Sequence, residues 1–528
     1  MSTVEEEVVD VSPALMALNA FDSPRLALRG RIVSMTNDVI DDGILYIEDG
    51  VIAAVQDAQA DAPDGFDGVE PIETDGTMYP GMLDLHNHLV YNVLAVWEVP
   101  KQYANRNQWQ KARSYAEQVK APMGAMAFHG PTIPAIVRYV ETKALVSGTT
   151  AVQGMKSRFQ ATSPYFTGAV RNFESTGDKN LPAALTRIGD VKMDDPEDVQ
   201  KFRNSLDRAA AKNAAMFYHL CEGVDDVTRG HYTALAGEKL VDKSMAAIHC
   251  LALNEEDFTE FDGFGSHIVW SPFSNTLLYG QTIDPKQLEK RTFTVGCDWS
   301  PSGSKNLLEE LKVAWLTIEA NKAKISAKTL VEGVTKNAAK AVGWDKKLGT
   351  LEKGKYADVV VIAGKDGDAY EHLIFATERE VRLVVIAGYA RYGDADLMDA
   401  MPTASDDELI ETLTVGGVEK KLDNVDPASK LNITYAEAKK RLEHATSNLP
   451  ALAEEATLSS IEGDVEPLLL DNEDEGADDL ASLFAAVTMP DSVALDGLTV
   501  VDDAEHFARL SRIGHLPVHL KKLRAMYK

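Results

Sequence analysis

Cysteine is scarce in this chain, with three among 528 residues. Three thiols do not make the disulfide framework of a secreted protein, so we expect a reducing, cytoplasmic setting. Long apolar runs are missing too, and none approaches the ~20 residues that a membrane helix needs. Residues 1–10 are acidic and lack the basic and apolar layout of a secretion signal. These absences argue against secretion and against a membrane.

Positive charge is also in short supply. Lys and Arg number 53 against 82 Asp and Glu, which gives a net charge of −29 at pH 7. Nucleic acids and anionic membranes both favour Lys and Arg, so this balance argues against either partner. A small-molecule substrate remains open. The length and the apolar content of 45% are typical of a globular protein with two or three domains.

The most informative stretch is Met78–His88, which reads MYPGMLDLHNH. Pro80-Gly81 signals a turn, and the apolar residues after it indicate a short buried strand. His86 and His88 are two residues apart. On an extended backbone both imidazoles therefore leave on one face, where they can share one ion.

Short apolar strands alternate with helical stretches over roughly residues 77–344. This alternation predicts a parallel sheet, and the number of units predicts a (β/α)₈ TIM-like barrel, so the fold class is α/β. Seven strands are recognisable, and we expect the eighth between Gln153 and Leu181. After the first strand, the predicted strands are Thr149–Val152, Ala183–Ile188, Ala215–Tyr218, Ala246–Ile248, Ile268–Trp270 and Phe293–Cys297. The predicted helices include Asp195–Lys212 and Lys305–Ala323.

Strand-rich segments flank this region on both sides. Leu26–Val55 alternates apolar and polar residues, and its Asp-Gly pairs at 42–43 and 49–50 predict two turns. A second strand-rich segment covers Gly349–Ala387. We expect the two flanks to share one sheet system in a small β-sandwich domain.

The last part of the chain changes in composition. Glu408–Leu422 could add strands to the β domain, and Tyr435–Leu449 is typical of a helix. Ile461–Asp479 is strongly acidic, which is typical of a solvated linker, and a basic tail follows it. The predicted division is 1–76 and 345–450 for the two parts of the β-sandwich, 77–344 for the barrel, and 451–528 for the linker and tail.

Further polar residues stand where predicted strands end. His219, His249 and Asp298 each follow such a strand, and in (β/α)₈ barrels the chemistry is found at those ends. Imidazole nitrogens and a carboxylate oxygen suit Zn²⁺ or Fe²⁺. With His86 and His88 they predict a metal site.

These motifs resemble the amidohydrolase superfamily, in particular its metal-dependent aminohydrolase branch of deaminases and triazine-type hydrolases. The resemblance covers about residues 26–390. It rests on Pro80–His88, Gly148-Thr-Thr150, His219-Leu-Cys-Glu222, His249, Ser271-Pro-Phe-Ser-Asn-Thr-Leu-Leu278, Asp298 with Ser302-Gly-Ser, and Gly349-Thr-Leu-Glu-Lys-Gly-Lys-Tyr-Ala-Asp358.

The resemblance implies a role for each residue of the set. The implied ligands of one divalent metal ion, Zn²⁺ first and Fe²⁺ second, are His86, His88, His219 and Asp298. His249 is implied to hydrogen-bond the activated water or the substrate, and Glu222 to shuttle protons. Glu222, His249 and Asp298 are thus the expected catalytic residues.

The implied reaction is hydrolysis of a C–N bond that removes an amino group from a nitrogenous ring compound. One alternative is hydrolysis of an amide or cyclic amide at a binuclear site, in which a carboxylated Lys192 bridges two metals. The other is a catalytically silent binding protein on the same scaffold. Two alternatives are open for Lys192. It is either an exposed lysine at a helix start or such a bridging ligand. A homo-oligomer is compatible with the sequence.

Several tryptophans fall in loops expected around the pocket. They either pack the loops against the barrel or stack on a planar, ring-containing substrate. They are Trp97, Trp109, Trp270 and Trp299, with Asn105, Arg106, Asn275 and Lys305 in the same loops. We expect Cys250 and Cys297 to pack into the strand–helix layer and Cys221 to lie nearer the pocket.

Overall fold

The structure is a computed structural model that describes residues 24–154, 169–423, 433–462, 467–468, 470 and 480–527. Its strands are β1 Leu26–Ile32, β2 Ile40–Glu48, β3 Val51–Asp57, β4 Ile72–Pro80, β5 Met82–Asp84, β6 Thr149–Val152, β7 Arg171–Asn172, β8 Leu185–Arg187, β9 Met216–Leu220, β10 Met245–His249, β11 His267–Trp270, β12 Phe293–Val295, β13 Val359–Ala363, β14 Val381–Ile386, β15 Tyr389–Asp394, β16 Glu411–Val415 and β17 Val418–Leu422.

The helices longer than one turn lie mainly between the parallel strands and at the C-terminal end. They are α1 Ala121–Ala127, α2 Ile133–Val146, α3 Pro196–Lys212, α4 Asp226–Gly237, α5 Glu255–Phe264, α6 Pro272–Tyr279, α7 Leu307–Asn321, α8 Ala327–Gly333, α9 Lys336–Ala341, α10 Ala369–Phe375, α11 Ala395–Ala400, α12 Tyr435–Thr446, α13 Leu449–Glu462, α14 Leu480–Ala486 and α15 Ala504–Arg512. Among the described helices, none is both long and apolar enough to cross a membrane.

Eight strands pair in parallel within two sheets, in the orders β5-β6-β7 and β12-β11-β10-β9-β8. A parallel bridge between Asn87 and Asp298 connects the chain just after β5 with the chain just after β12. On the other side, the Ala184 N–H donates to the Phe173 carbonyl at 2.8 Å, between β7 and β8. The predicted alternation of strands and helices in an α/β fold is confirmed.

The expected eighth strand is β7, which lies between Gln153 and Leu181 as predicted. It has only two residues, Arg171 and Asn172, and both are buried. Two residues are too few to show a period, and this explains why no pattern revealed the strand. Part of the predicted interval, 155–168, lies outside the described residues.

Helix α3 shows how local sequence sets these elements. The Asp195 carboxylate accepts the backbone N–H groups of Glu197 and Asp198, Pro196 occupies the first turn, and Asn213 ends the helix in the left-handed region. The helix buries Phe202, Leu206 and Ala209 on one face. Burial of a large apolar side chain contributes about 1.5–3 kcal/mol, so this stripe anchors the helix to the sheet. The prediction of a helix over Asp195–Lys212 is confirmed.

The two flanks of the parallel-strand region meet in one nine-stranded sheet, of order β16-β17-β15-β14-β13-β4-β1-β2-β3. Strand β4 joins them, since it pairs in parallel with β1 and antiparallel with β13. The prediction that both flanks share one sheet system is confirmed. The added strands β16 and β17 and the helix α12 also lie where the sequence indicated.

One predicted turn is wrong. Asp42-Gly43 lies inside β2, where Gly43 pairs with Gly30 of β1. A Cβ atom on Gly43 would come within 2.8 Å of the Ile32 side chain. Glycine is therefore needed here for the close approach of the strands and not for a turn. The second pair does form the β2–β3 turn, with Asp49 and Gly50 at φ values of 51° and 70°.

The C-terminal segment, residues 493–527, packs on the parallel-strand region. The backbone N–H of Asp496 in this segment donates to the Val93 carbonyl at 2.8 Å. Leu495 forms a β-bridge with Leu94, which lies after β5. Helix α15 follows, and a 3₁₀ segment, Leu520–Tyr527, packs against α7. Most of the predicted acidic linker, Ile461–Asp479, lies outside the described residues.

Candidate metal centre

The predicted site residues come together at the carboxyl ends of the parallel strands. His86 and His88 follow β5, His219 lies near the end of β9, His249 ends β10, and Asp298 follows β12. Each of these five side chains is buried. The parallel order of the strands places residues that are 212 positions apart in sequence at one edge. Glu222, two residues beyond β9, is also buried.

The donor atoms of these residues converge. The Nε2 atoms of His86 and His219 are 3.1 Å apart. One carboxylate oxygen of Asp298 lies 3.4 Å from the Nε2 atoms of both His86 and His88. One ring nitrogen of His249 also lies within 4.8 Å of a ring nitrogen of His86 and of one of His219.

This arrangement fits a divalent metal ion. An ion with four ligands at about 2.0–2.1 Å in a tetrahedron holds its ligand atoms roughly 3.3 Å from one another. Three separations match that edge length: 3.1 Å between His86 and His219, and 3.4 Å from Asp298 to His86 and to His88. Three neutral nitrogens and one carboxylate oxygen are also donors that Zn²⁺ and Fe²⁺ accept.

Neighbouring side chains fix the orientation of two imidazoles. The Nδ1 atom of His86 lies 2.6 Å from the Ser271 hydroxyl. The Nδ1 atom of His249 lies 2.8 Å from the side-chain oxygen of Asn275, which accepts but cannot donate. His249 therefore carries its proton on Nδ1 and directs the lone pair of Nε2 into the site.

Burial also sets the protonation state of the histidines. Loss of hydration lowers the pKa of His86 and of His219 well below the ordinary value, and neighbouring imidazoles lower it further. The pKa of His249 is lowered by burial as well. Neutral imidazoles keep the lone pairs that a metal ion requires.

Asp84 connects the two strand ends that carry His86, His88 and Asp298. Burial raises its pKa to about 6, while hydrogen bonds from Asn87 and Cys297 act in the opposite direction. Its carboxylate accepts the Asn87 side-chain amide at 2.8 Å and the Cys297 N–H at 3.1 Å. Asn87 stands between His86 and His88, and Cys297 precedes Asp298. The Asp84 side chain thus holds the backbone on both sides of the site.

The backbone itself is unusual at this edge. His249 and Asp298 have φ values of 69° and 67°, a region that side chains other than glycine seldom occupy. Gly296 lies so close to β5 that a Cβ atom on it would come within 2.5 Å of the His86 Cβ atom. Tight packing therefore positions the ligands.

Glu222 faces the same space from the rim. One of its carboxylate oxygens, Oε1, accepts the Tyr279 hydroxyl at 2.6 Å, and that hydroxyl accepts the Trp109 indole N–H at 2.8 Å. The other oxygen, Oε2, lies 3.7 Å from both His249 Nε2 and the Arg106 guanidinium. One oxygen is thus anchored while the other faces the histidines.

The four tryptophans are all buried, and Trp299 has a ring contact with a histidine. The Trp299 ring lies 5.6 Å from the His88 ring, and Trp109 lies 5.9 Å from Trp299. Trp97 packs on Tyr115 at 5.8 Å, one layer further out. Trp270 packs on Phe293 and donates to Thr282, contacts that favour the alternative in which the tryptophan packs against the protein.

Two lysines singled out by the sequence differ in their surroundings. Lys192 is exposed, and its backbone N–H donates to Asp198. Lys305 is buried but does not face the histidines, because its ammonium group binds Asp496 and Asp503 of the C-terminal segment. The sequence placed Lys305 in the same loops as the tryptophans, and a carboxylate pair far along the chain binds its side chain.

All three cysteines are buried. Cys250 and Cys297 belong to the main apolar core, as expected. The Cys221 thiol donates to the Thr228 carbonyl at 3.4 Å, on the helix side of the strand end. The expectation that Cys221 turns toward the pocket is therefore wrong. Its φ of 55° breaks the strand alternation on which that expectation rested.

The sequence comparison identifies the family. The sequence model that describes the amidohydrolase family matches residues 77–390 of this chain. The chain belongs to this family. Guanine deaminase of Escherichia coli is 22% identical over 394 residues, which are 64% of this chain and 87% of that protein. A 5-methylthioadenosine/S-adenosylhomocysteine deaminase of Acetivibrio thermocellus is 23% identical over 363 residues, 62% of this chain and 82% of that protein.

Solved structures of amidohydrolases share the fold. An adenosine deaminase from Xanthomonas campestris with bound zinc has a TM-score of 0.56 at 16% identity, covering 79% of this chain and 98% of that chain. Guanine deaminase of E. coli has a TM-score of 0.53 at 16% identity, with 70% and 99% covered. The family segment ends at 390, so the C-terminal segment, residues 493–527, is additional to it.

Sequence reasoning missed one residue that the site uses. Tyr279, the last residue of α6, reaches Glu222, which lies 57 positions earlier in the chain. The signal available was the Ser271–Leu278 motif, which starts this helix directly after β11. Ser271 and Asn275 in the motif orient His86 and His249, and Tyr279 lies one turn beyond Asn275.

Proposed function

We propose that this amidohydrolase is a metal-dependent deaminase that hydrolyses a C–N bond of a nitrogenous ring compound. The proposal rests on one observation above all: two groups of converging donors, His86–His219–His249 and His86–His88–Asp298, share His86 and lie beside Glu222. A silent binding protein would not need a buried acid held beside neutral histidines.

The proposed ligands are His86, His88, His219 and Asp298, and the proposed cofactor is one Zn²⁺ ion, with Fe²⁺ as the alternative. A divalent ion held there would lower the pKa of a coordinated water toward about 7 and so supply a nucleophile at neutral pH. Ser271 and Asp84 would keep the ligands in place through the contacts described above.

Glu222 is the proposed proton carrier. Its Oε1 atom is fixed by the Tyr279 hydroxyl, so Oε2 is the atom left to accept and release a proton. The proton that Glu222 takes from the attacking water would pass to the leaving ring amine, which departs as ammonia while the ring carbon gains oxygen. The nearby Arg106 guanidinium holds the carboxylate in place at 3.7 Å.

His249 is proposed to orient the water or the substrate. Its Nδ1 proton is engaged by Asn275, so Nε2 can only accept a hydrogen bond while the ring is neutral. An acceptor at this position would bind an N–H or O–H group and turn it toward Glu222, whose Oε2 atom is 3.7 Å away.

The proposed substrate is a small planar ring. Trp299 and Trp109 stand beside His88 and beside the Tyr279 hydroxyl, respectively, and make the surroundings of the proposed site aromatic. Relatives named as deaminases of guanine and of 5-methylthioadenosine or S-adenosylhomocysteine also point to a nitrogen heterocycle.

A single ion is favoured over the binuclear alternative. His86 belongs to both groups of converging donors, which supports a single centre. The exposed side chain of Lys192 and its place at the start of α3 argue against a bridging role. Hydrolysis of an amide or cyclic amide remains the second candidate reaction, because it needs the same nucleophile.

We further propose that the two parallel sheets close into one (β/α)₈ barrel. The Asn87–Asp298 bridge and the Ala184–Phe173 hydrogen bond support closure at both seams. The proposed domains are the barrel over 77–344, a β-sandwich made from 1–76 and 345–450, and a C-terminal part over 451–528. One apolar cluster shared by strands of both flanks supports the sandwich.

The test is metal content combined with ammonia release over a panel of amino-substituted purines, pyrimidines and triazines. We expect about one zinc or iron per chain and ammonia from at least one amino compound. Cyclic amides serve as the comparison series. Metal near two per chain with a carboxylated Lys192 would favour the binuclear alternative, and a protein that binds no divalent metal would refute the proposal.

A further inference from the structure

The C-terminal segment, residues 493–527, lies outside the family segment and yet carries buried charges that meet the barrel region. Asp496 is 1% exposed and accepts hydrogen bonds from two buried lysines, Lys143 at 2.6 Å and Lys305 at 2.8 Å. Burial by itself raises the pKa of Asp496, but the two lysines outweigh it and hold that pKa below the usual range. The carboxylate is therefore ionised and paired in the interior.

A chain of hydrogen bonds runs from Asp496 to the ligands. The ammonium group of Lys143 also donates to the Asn92 carbonyl at 2.7 Å. The Asn92 side-chain amide donates to the Asn87 side-chain oxygen at 2.9 Å, and Asn87 donates to Asp84 at 2.8 Å. Asn87 is flanked by the two proposed histidine ligands after β5, so the chain ends at the metal centre.

Asn92 also contacts the loop after β12, which carries Asp298. The Asn92 side-chain oxygen accepts the Ser300 N–H at 2.8 Å, two residues after that ligand. The Asp496 N–H donates to the Val93 carbonyl, so backbone and side chain of one residue both hold the loop after β5. Asp496 thus acts on both ligand-bearing loops through one asparagine.

A second contact of the segment reaches the helix that orients the catalytic groups. The His515 ring lies 2.9 Å from the Leu277 carbonyl in α6. This helix carries Asn275, the partner of His249, and ends at Tyr279, the partner of Glu222. The segment therefore ties together loops that follow three different strands.

From these contacts we infer that the C-terminal segment is a working part of the metal centre, with Asp496 as a positioning residue that acts through Lys143 and Asn92. The inference rests on the proposed function only in taking His86, His88, His219 and Asp298 as metal ligands. Residues that orient ligands from outside the coordination shell typically change metal affinity roughly 10–100-fold when replaced.

The experiment compares zinc affinity of the full chain and its variants by competition with a chromophoric chelator. Asp496→Asn keeps the shape and removes the charge that binds Lys143. We expect its zinc dissociation constant to rise roughly 10–100-fold. Glu505→Gln is the matched control, because this exposed acid of the same segment pairs only with Arg509 and Arg512 in the contacts described. Its zinc affinity should stay within about threefold of the parent's.

A purely structural role is separated by spectroscopy. With Co²⁺ in place of zinc, the visible absorption of folded Asp496→Asn should shift because the ligand geometry changes, while the Glu505→Gln spectrum should match the parent's. Asp496→Glu, which keeps the charge, should recover part of the affinity. Loss of thermal stability with unchanged zinc affinity and unchanged Co²⁺ spectrum would overturn the inference.

A second variant covers the case in which Asp496→Asn does not fold. Asn92→Ser keeps the carbonyl that Lys143 binds but shortens the side chain that reaches Asn87 and Ser300. It should weaken zinc binding in the same way, and parent-like affinity would overturn the inference. If the parent chain itself binds no zinc or cobalt, the proposed function fails instead, and the two failures are thereby distinguished.

Discussion

Replacement of Glu222 by glutamine isolates the proposed proton transfer from the rest of the site. The glutamine carbonyl can keep the 2.6 Å hydrogen bond from Tyr279, so the side chain stays anchored. The amide NH₂ then takes the place of Oε2, 3.7 Å from His249, and it cannot accept a proton. All four proposed metal ligands are unchanged, so metal content should equal that of the parent.

The expected loss is large in rate and small in stability. A positioned acid–base group contributes roughly 10²–10⁴ to the rate, which corresponds to about 3–5 kcal/mol of activation free energy. Arg106 keeps its hydrogen bond to the Ile188 carbonyl at 2.5 Å and its contact with Asp190. Because the Tyr279 hydrogen bond is also kept, the free energy of unfolding should fall by less than the ~1.5–3 kcal/mol that a hydrogen bond to a charged group contributes.

The assay measures ammonia release in single turnovers with metal content determined on the same sample. Tyr279→Phe is the matched control, since it keeps the carboxylate and removes only its anchor. We expect a loss of roughly 10–100-fold for it, smaller than that of Glu222→Gln. Asp298→Asn should instead lose metal, because an amide is a poorer ligand than a carboxylate. Full turnover by Glu222→Gln would refute the proposed role.

Three further outcomes are expected. His88→Ala should lower the metal content well below one per chain together with activity, and a fully loaded, active variant would contradict the ligand assignment. Gly296→Ala should weaken zinc binding and lower the melting temperature, since its Cβ would lie 2.5 Å from the His86 Cβ; a parent-like melting curve would argue against this packing. The pKa of Asp503 is about 2, because Lys305 outweighs the effect of burial, which alone would raise it. This depressed pKa adds stability above about pH 4 that is lost as the pH falls toward 2, so Asp503→Asn should flatten that part of the melting temperature profile.

The strand–helix alternation and the identity of the clustered residues could be read from the sequence because both are local. An alternating or apolar run of four or five residues ending in a histidine is enough to predict a strand end such as β9 or β10. Parallel strands bring such ends to one edge, and this allowed His86, His219 and Asp298 to be grouped although they lie far apart in the chain.

Prediction from local sequence patterns failed where a tertiary contact or a very short element determines the structure instead. Gly43 beside an aspartate predicts a turn, but pairing with Gly30 made it part of a strand. Strand β7 has two residues and therefore no period. The left-handed backbone of Cys221 turned its thiol toward Thr228, contrary to the strand alternation.

The sequence by itself determined the α/β class and the family motifs, and it predicted the candidate donor residues from their places at strand ends. Only the tertiary structure decided that Tyr279 anchors Glu222 and that Lys305 turns away from the site toward Asp496. The physical reason is that a buried hydrogen bond joins the first pair across 57 positions of chain, and a buried ion pair joins the second across 191. No repeat or local propensity records which buried acid a given buried lysine will meet.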